Sequence, residues 1–224
     1  MQNCGAKILI CFVIDKFFEL QFLSLLPITA FLMDRYTMEI FTATLSASHF
    51  IDTYRDAEQI ECLCRACPNY GRSWSCPPFD YDVEPRLRLY EHVTLIVMKV
   101  TPCGSSISWQ ELERLFLPER MKMENRLRQL EREHNALSCY PGSCMYCNEL
   151  LDESIYRSCC TRCVDEPCRK PHLVRPSLEA YGFDLSRTMI DFFNLPLQWS
   201  SGNKIPDYHI YLAALFHNSD SVQW

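Results

Sequence analysis

Two stretches of the chain carry thiols at spacings suited to holding a metal. ECLCRACPNYGRSWSCPPFDYD, residues 61–82, presents Cys62, Cys64, Cys67 and Cys76. The two residues between Cys64 and Cys67 let both sulfurs approach one point, as a tetrahedral metal requires, and the turn formers around Gly71 bring Cys76 back toward them. GSCMYC at 142–147 and CCTRCVDEPCRKP at 159–171 add Cys144, Cys147, Cys160, Cys163 and Cys168. By spacing alone, Cys144, Cys147, Cys160 and Cys163 approach a four-cysteine zinc ribbon, in which two knuckles face each other across a longer loop. Cys168 is a fifth nearby thiol, which suits a cluster with a choice of ligands better than a closed tetrahedral zinc. The candidate metal ligands are therefore Cys64, Cys67, Cys76, Cys144, Cys147, Cys160, Cys163 and Cys168.

The remaining composition narrows the chemistry. In 224 residues the chain is 48% hydrophobic and 22% charged, the balance of a folded globular protein, and its formal charge of −6 disfavours nucleic acid as a partner, because that affinity comes largely from Lys and Arg displacing counterions. Fourteen cysteines mean disulfides in an oxidising space and metal ligands or reactive thiols in a reducing one. The repeated two-residue gaps favour metal and a cytoplasmic setting. Pro77 after Cys76 matches the Cys-Pro ending of bacterial ferredoxin cluster motifs, so the leading cofactor is an iron–sulfur cluster, one or two of the 4Fe-4S type, with zinc as the alternative. No phosphate loop, nucleophile elbow or His-Glu-x-x-His occurs, and no enzymatic reaction is indicated. His172 is the one histidine beside a cysteine motif, and a helix-start salt bridge accounts for Arg175.

The elements that must position these cysteines read as an α+β, mixed α/β arrangement: one central sheet with flanking helices and two cysteine-rich metal-binding loops. Strands are expected at 38–45, at the nearly all-apolar 93–100, at 196–199 and at 208–216. Helices are expected at 48–56, at 84–91 for a turn or two, at 176–181 and at 184–193, with 61–78 as irregular loop. Ser108 and Glu111 form a capping-box signature, Pro118 should break or kink the helix that follows, and its second piece, 119–135, should turn Met123, Leu127 and Leu130 inward and leave Glu124 and Arg128 as an exposed pair. If the strands at 38–45, 93–100 and 208–216 share a sheet, both cysteine loops should leave it at the same end and meet.

The segments CRACPNYGRSWSCPPFDYDV, GSCMYC, EPCRKP, RPSLEAYGFDL and LPLQWSSGNKIPDYHIYLAALF, in that order from about Tyr36 to Phe216, resemble an uncharacterised prokaryotic family of predicted metal-binding proteins, domain of unknown function 2284. The resemblance implies a cytoplasmic metal or iron–sulfur protein. It places the family cysteines of the first loop at Cys64, Cys67 and Cys76, with Cys62 as an extra. In the second loop Cys144 and Cys147 match, Leu150 stands where a third cysteine is usual, and Cys160 or Cys163 supplies it after an insertion. Lys170 replaces the histidine of the family's Pro-Cys-Arg-His-Pro.

The reading that follows is a metal-binding domain over 36–216 with a short tail, 217–224. It is an iron–sulfur protein in electron transfer or accessory to an oxidoreductase, working with a redox partner protein, and Tyr70, Trp74 and Phe79 cover the sulfurs. A zinc-stabilised structural or interaction module and a secreted disulfide protein are the competitors. Residues 1–35 form an apolar extension. Its longest uncharged run, 20–33, is too short to span a bilayer and is interrupted by Pro27; Lys7 and Lys16 before it give the signal-peptide alternative, and a start at Met33 or Met38 or an extra packing helix gives the others. A chain beginning at Met33 is expected to give at least the soluble yield of the full chain; insolubility of the truncated form alone would put the segment in the core.

Overall fold

The computed structural model describes residues 36–103, 109–147, 161–199 and 206–224. At its centre the apolar run of 93–100 forms a strand buried on both faces. Four strands, β1 (Tyr36–Ser46), β2 (His92–Pro102), β3 (Leu137–Cys139) and β4 (His209–His217), make an antiparallel sheet in the order β1-β2-β4-β3. Alternation along β2 divides two cores, because successive side chains point to opposite faces. Val93, Leu95 and Val97 enter one core, and Ile96, Met98 and Val100 enter the other. The α+β expectation holds, and the strands expected at 38–45, 93–100 and 208–216 share this sheet.

The first core is covered by α1 (Ala47–Tyr54), by α3 (Val83–Leu87), which follows α2 (Ala57–Arg65), and by α5 (Leu185–Phe193). Each of these helices starts where a short polar side chain can accept from a first-turn amide. Ser46, Asp56, Asp82 and Asp184 accept from His49, Gln59, Glu84 and Arg187 respectively, satisfying donors that helix ends otherwise orphan. The second core lies under α4 (Trp109–His134), which contributes Phe116, Met123, Leu127 and Leu130. Among the described residues no helix is long and apolar enough to cross a membrane.

Several local expectations are corrected. The helix at Pro118 does not break: α4 runs through it for 26 residues, since Pro118 is exposed and packing on either side sustains the helix across one missing bond. The stretch 61–78 is not loop throughout, because α2, capped by Asp56 and with Arg65 in its last turn, carries Cys62 and Cys64. Glu124 is not exposed; it is 4% exposed and bonded to Arg120 at 2.8 Å. The segment 196–199 is not a strand, and 176–181 is a pair of turns rather than a helix. The three-residue β3 is too short to leave a periodic signal. Arg175 sits at no helix start; it grips Glu131 through both carboxylate oxygens. Ser108, Cys160 and the N-terminal extension lie outside the described residues.

The two cysteine loops do not leave the sheet at one end. Ser46 and His92 are register partners, so the first loop leaves and returns at that end. The second begins after Cys139, opposite Ala214, and re-enters at His209, opposite Val100 at the other end. They still meet, since the Ser75 hydroxyl of the first accepts from Cys144 N–H of the second.

The turn before α5 locks α2 in place. Asp56 N–H donates to Gly182 O at 2.9 Å and Asp184 N–H to Tyr54 O at 2.9 Å. Gly182 has φ +88, and a Cβ there would lie 2.8 Å from Ala57 Cα. Gly71 also has positive φ, at +67, but faces open space. Gly71→Ala should therefore cost about 1 kcal/mol, whereas Gly182→Ala should cost roughly 3 kcal/mol or more because backbone must also move. Denaturant midpoints measure both, and equal losses would show that the close approach is not rigid.

Candidate metal centre

Cys64 sits in the last turn of α2, and the chain then winds tightly. Cys67 N–H donates to Cys64 O at 2.9 Å, Tyr70 N–H to Cys67 O at 3.1 Å, Gly71 N–H to Pro77 O at 2.8 Å and Cys76 N–H to Ser73 O at 3.0 Å. These turns gather Cys64, Cys67 and Cys76 from positions twelve apart at most in sequence. Burial chiefly pushes the Cys64 thiol up to about 11, followed by Glu179, Cys76, Cys67 and Glu61. Burial also raises Cys76, with Cys67 acting in the same direction and Ser75 and Arg162 opposing it. Groups that perturb one another in this way are electrostatic neighbours. Cys62, on the same helix, is exposed.

A second set forms around Cys144. Its thiol is pushed up to about 11 by burial first, and Cys147, Glu124 and Cys168 add to the shift. The loop rests on α4 through a buried polar network. Arg120 donates to Ser143 O at 2.6 Å and to Glu124 at 2.8 Å; the Tyr146 hydroxyl donates to Glu124 at 2.6 Å and accepts from Arg128. Lys170, in the position of the family histidine, donates to Tyr146 O at 2.7 Å and so holds the loop by a main-chain contact.

The two sets meet at Ser75. Its hydroxyl, on a residue 1% exposed, accepts from Cys144 N–H at 2.9 Å and lies 3.9 Å from the Cys76 sulfur. Asn69 donates to Ser143 Oγ at 3.2 Å beside it. Cys163 is exposed and donates to Arg72 O at 3.4 Å, so it lies on the rim of the first loop. His172 is exposed. Cys139 is a fully buried sheet residue whose thiol is held protonated by burial. Among the described residues, no three His, Cys, Asp or Glu side chains close into a finished ligand group; the sulfurs are neighbours rather than a formed cage. The donor set still fits a metal that takes thiolates, because two groups of soft ligands are already brought together.

A cleft of roughly 260 Å³ opens at Cys64 and is bounded by Arg55, Glu61, Glu179, Phe79 and Tyr81. Of the aromatics expected to cover the sulfurs, Tyr70 donates to Glu61 at 2.8 Å, Trp74 donates to Thr161 at 3.3 Å, and Phe79 stacks on Tyr81.

A family model described as predicted metal-binding protein, DUF2284, matches residues 51–216, a span that contains both cysteine sets. The chain belongs to this family. No curated protein and no solved structure matches it. In this DUF2284 member, cysteine spacing does not reveal Ser75, Arg162, Arg120 and Glu124, which hold the two cysteine loops to each other and to α4. The alternating serines of Ser73-Trp74-Ser75 carried a signal for the first, since small hydroxyls at alternate positions of a cysteine loop are internal hydrogen-bond partners.

Ser75→Ala removes the acceptor of a half-buried amide, a loss of about 1 kcal/mol or more. Hydrogen exchange at the Cys144 amide should quicken in that variant. Unchanged protection would show that the loops are tied elsewhere.

Proposed function

We propose that this DUF2284 member is a cytoplasmic iron–sulfur protein that transfers electrons or supports a partner oxidoreductase. The observation that carries the reading is the junction at Ser75, where two cysteine sets from loops far apart in sequence come together. Cys64, Cys67 and Cys76 would hold one side. Cys144, Cys147 and Cys168 would hold the other, with Cys160 and Cys163 available to complete either set, and the ligands would hold one cluster or two of the 4Fe-4S type. When bound, such a cluster takes up and releases single electrons. The chain's own part is to keep the sulfurs grouped, to limit water through Tyr70 and Trp74, and to place fixed charge near them, the means by which a protein tunes a cluster. Acidic overall charge supports a protein partner over nucleic acid.

Zinc is the second reading, favoured by the two-residue knuckles, and would make the loops a structural clip whose metal contributes folding energy. Anaerobic purification with metal and acid-labile sulfide analysis separates the two. Iron with sulfide and broad visible absorption supports the cluster. Colourless zinc-loaded protein supports the clip, and metal-free protein lacking free thiols would overturn both in favour of disulfides. Serine at Cys64, Cys67 or Cys76 is expected to lower bound metal by at least half, while Cys62→Ser leaves it unchanged. Full metal content in all three single variants would remove the first loop from the site.

A further inference from the structure

Arg162 belongs to the short 3-10 turn Thr161–Val164, yet its guanidinium reaches across to the first cysteine loop. Nη1 donates to Ser73 O at 2.9 Å and to Cys76 O at 2.5 Å, and Nη2 donates to Pro78 O. The group also lies over the Trp74 ring, 5.2 Å from its centroid, where a cation is attracted to the ring face. The flanking residues repeat the attachment: Thr161 Oγ1 accepts from Trp74 Nε1 at 3.3 Å and donates to Pro167 O at 2.9 Å, while Cys163 reaches Arg72 O. Among the described residues these hydrogen bonds all go to main-chain oxygens, so its charge is directed at the carbonyls around Cys76.

We propose that Arg162 is a positioning residue for the metal held by Cys64, Cys67 and Cys76, acting in two separable ways. Its planar fork fixes the backbone on both sides of Cys76, and its charge favours the more negative state of whatever the thiolates hold. A lysine can supply the charge but not the fork, because an ammonium is a single point on a flexible stem. The fork also couples the two cysteine regions, since a segment of the second region sets the geometry of the first. This inference rests on the first loop binding metal.

The test compares Arg162→Gln, Arg162→Lys and, as a surface control of equal charge change, Arg132→Gln, each purified anaerobically with its metal. Release to a chelator is quenched by alkylation, and mass spectrometry reports which cysteines have been freed. Arg162→Gln should free Cys64, Cys67 and Cys76 about tenfold faster or more. Arg162→Lys should be as fast as the glutamine variant. If the metal is redox-active, Arg162→Gln should lower its midpoint potential and Arg162→Lys should restore it. Release and potential equal to Arg132→Gln would overturn the proposal. A release rate fully rescued by lysine would overturn the fork. Should the wild type bind no metal, the proposed function falls, and hydrogen exchange over residues 69–78 then decides: faster exchange in Arg162→Gln than in Arg132→Gln retains the clasp, and equal exchange removes it.

Discussion

The hydrogen bond from the Cys144 amide to the buried Ser75 hydroxyl, 2.9 Å long, is the contact on which the site depends. It joins two loops separated by a central strand, a 26-residue helix and a short edge strand. Everything between them serves to bring the chain back to this point. Burial on both faces of β2 fixes the sheet, α4 spans the rear face, and β3 releases the chain after three residues. Had β3 paired along the whole of β4, the second loop would begin nearer the far end of the sheet.

Charge is used differently on the two sides of this junction. Beneath the second loop, Arg120 and Glu124 are 8% and 4% exposed, so desolvation offsets much of their attraction and the pair adds little net stability. Its value is geometric, because Arg120, Glu124 and Tyr146 leave one another few alternative partners and so fix Ser143 to Tyr146 over α4. Removing one member would leave the others buried without compensation. On the first loop the cation comes instead from outside, from Arg162, and binds the carbonyls of Ser73, Cys76 and Pro78. One loop is built onto a helix; the other is held by a clasp.

The parts of this arrangement that repeat or alternate were legible in the sequence. Six apolar residues among the eight at 93–100 announce a doubly covered strand, and Met123, Leu127 and Leu130 announce the inner face of α4. Cysteine pairs at two-residue gaps likewise announced the grouping of Cys64 with Cys67 and of Cys144 with Cys147. What escaped depended on tertiary partners. Glu124 and Arg128 look like a solvated pair four apart, yet Arg120 and the Tyr146 hydroxyl hold Glu124 in a buried position, and Arg128, half-buried, donates to the same hydroxyl. Pro118 looks like a breaker, yet one lost bond is outweighed by a buried face on either side. Cys163 has the spacing of a knuckle with Cys160, while its contact is with Arg72, a residue ninety-one positions away.

Thiol ionisation ties burial to loading. Cys64 and Cys144 are both pushed up to about 11, burial being the largest cause for each, so at neutral pH only about one molecule in ten thousand carries either as thiolate. Without a cation the folded chain favours the neutral thiols. A folded value above the unfolded one means that this stabilisation is complete below the unfolded thiol's ordinary value of 9.0 and is lost as pH rises toward 11. A metal reverses the sign, because it takes the thiolate and expels the proton. Loading is then opposed by protons at low pH and grows easier as pH rises. The burial that raises Cys64 and Cys144 makes these two thiols poor nucleophiles at neutral pH, which is the behaviour of a ligand that waits for a metal rather than of a reactive group.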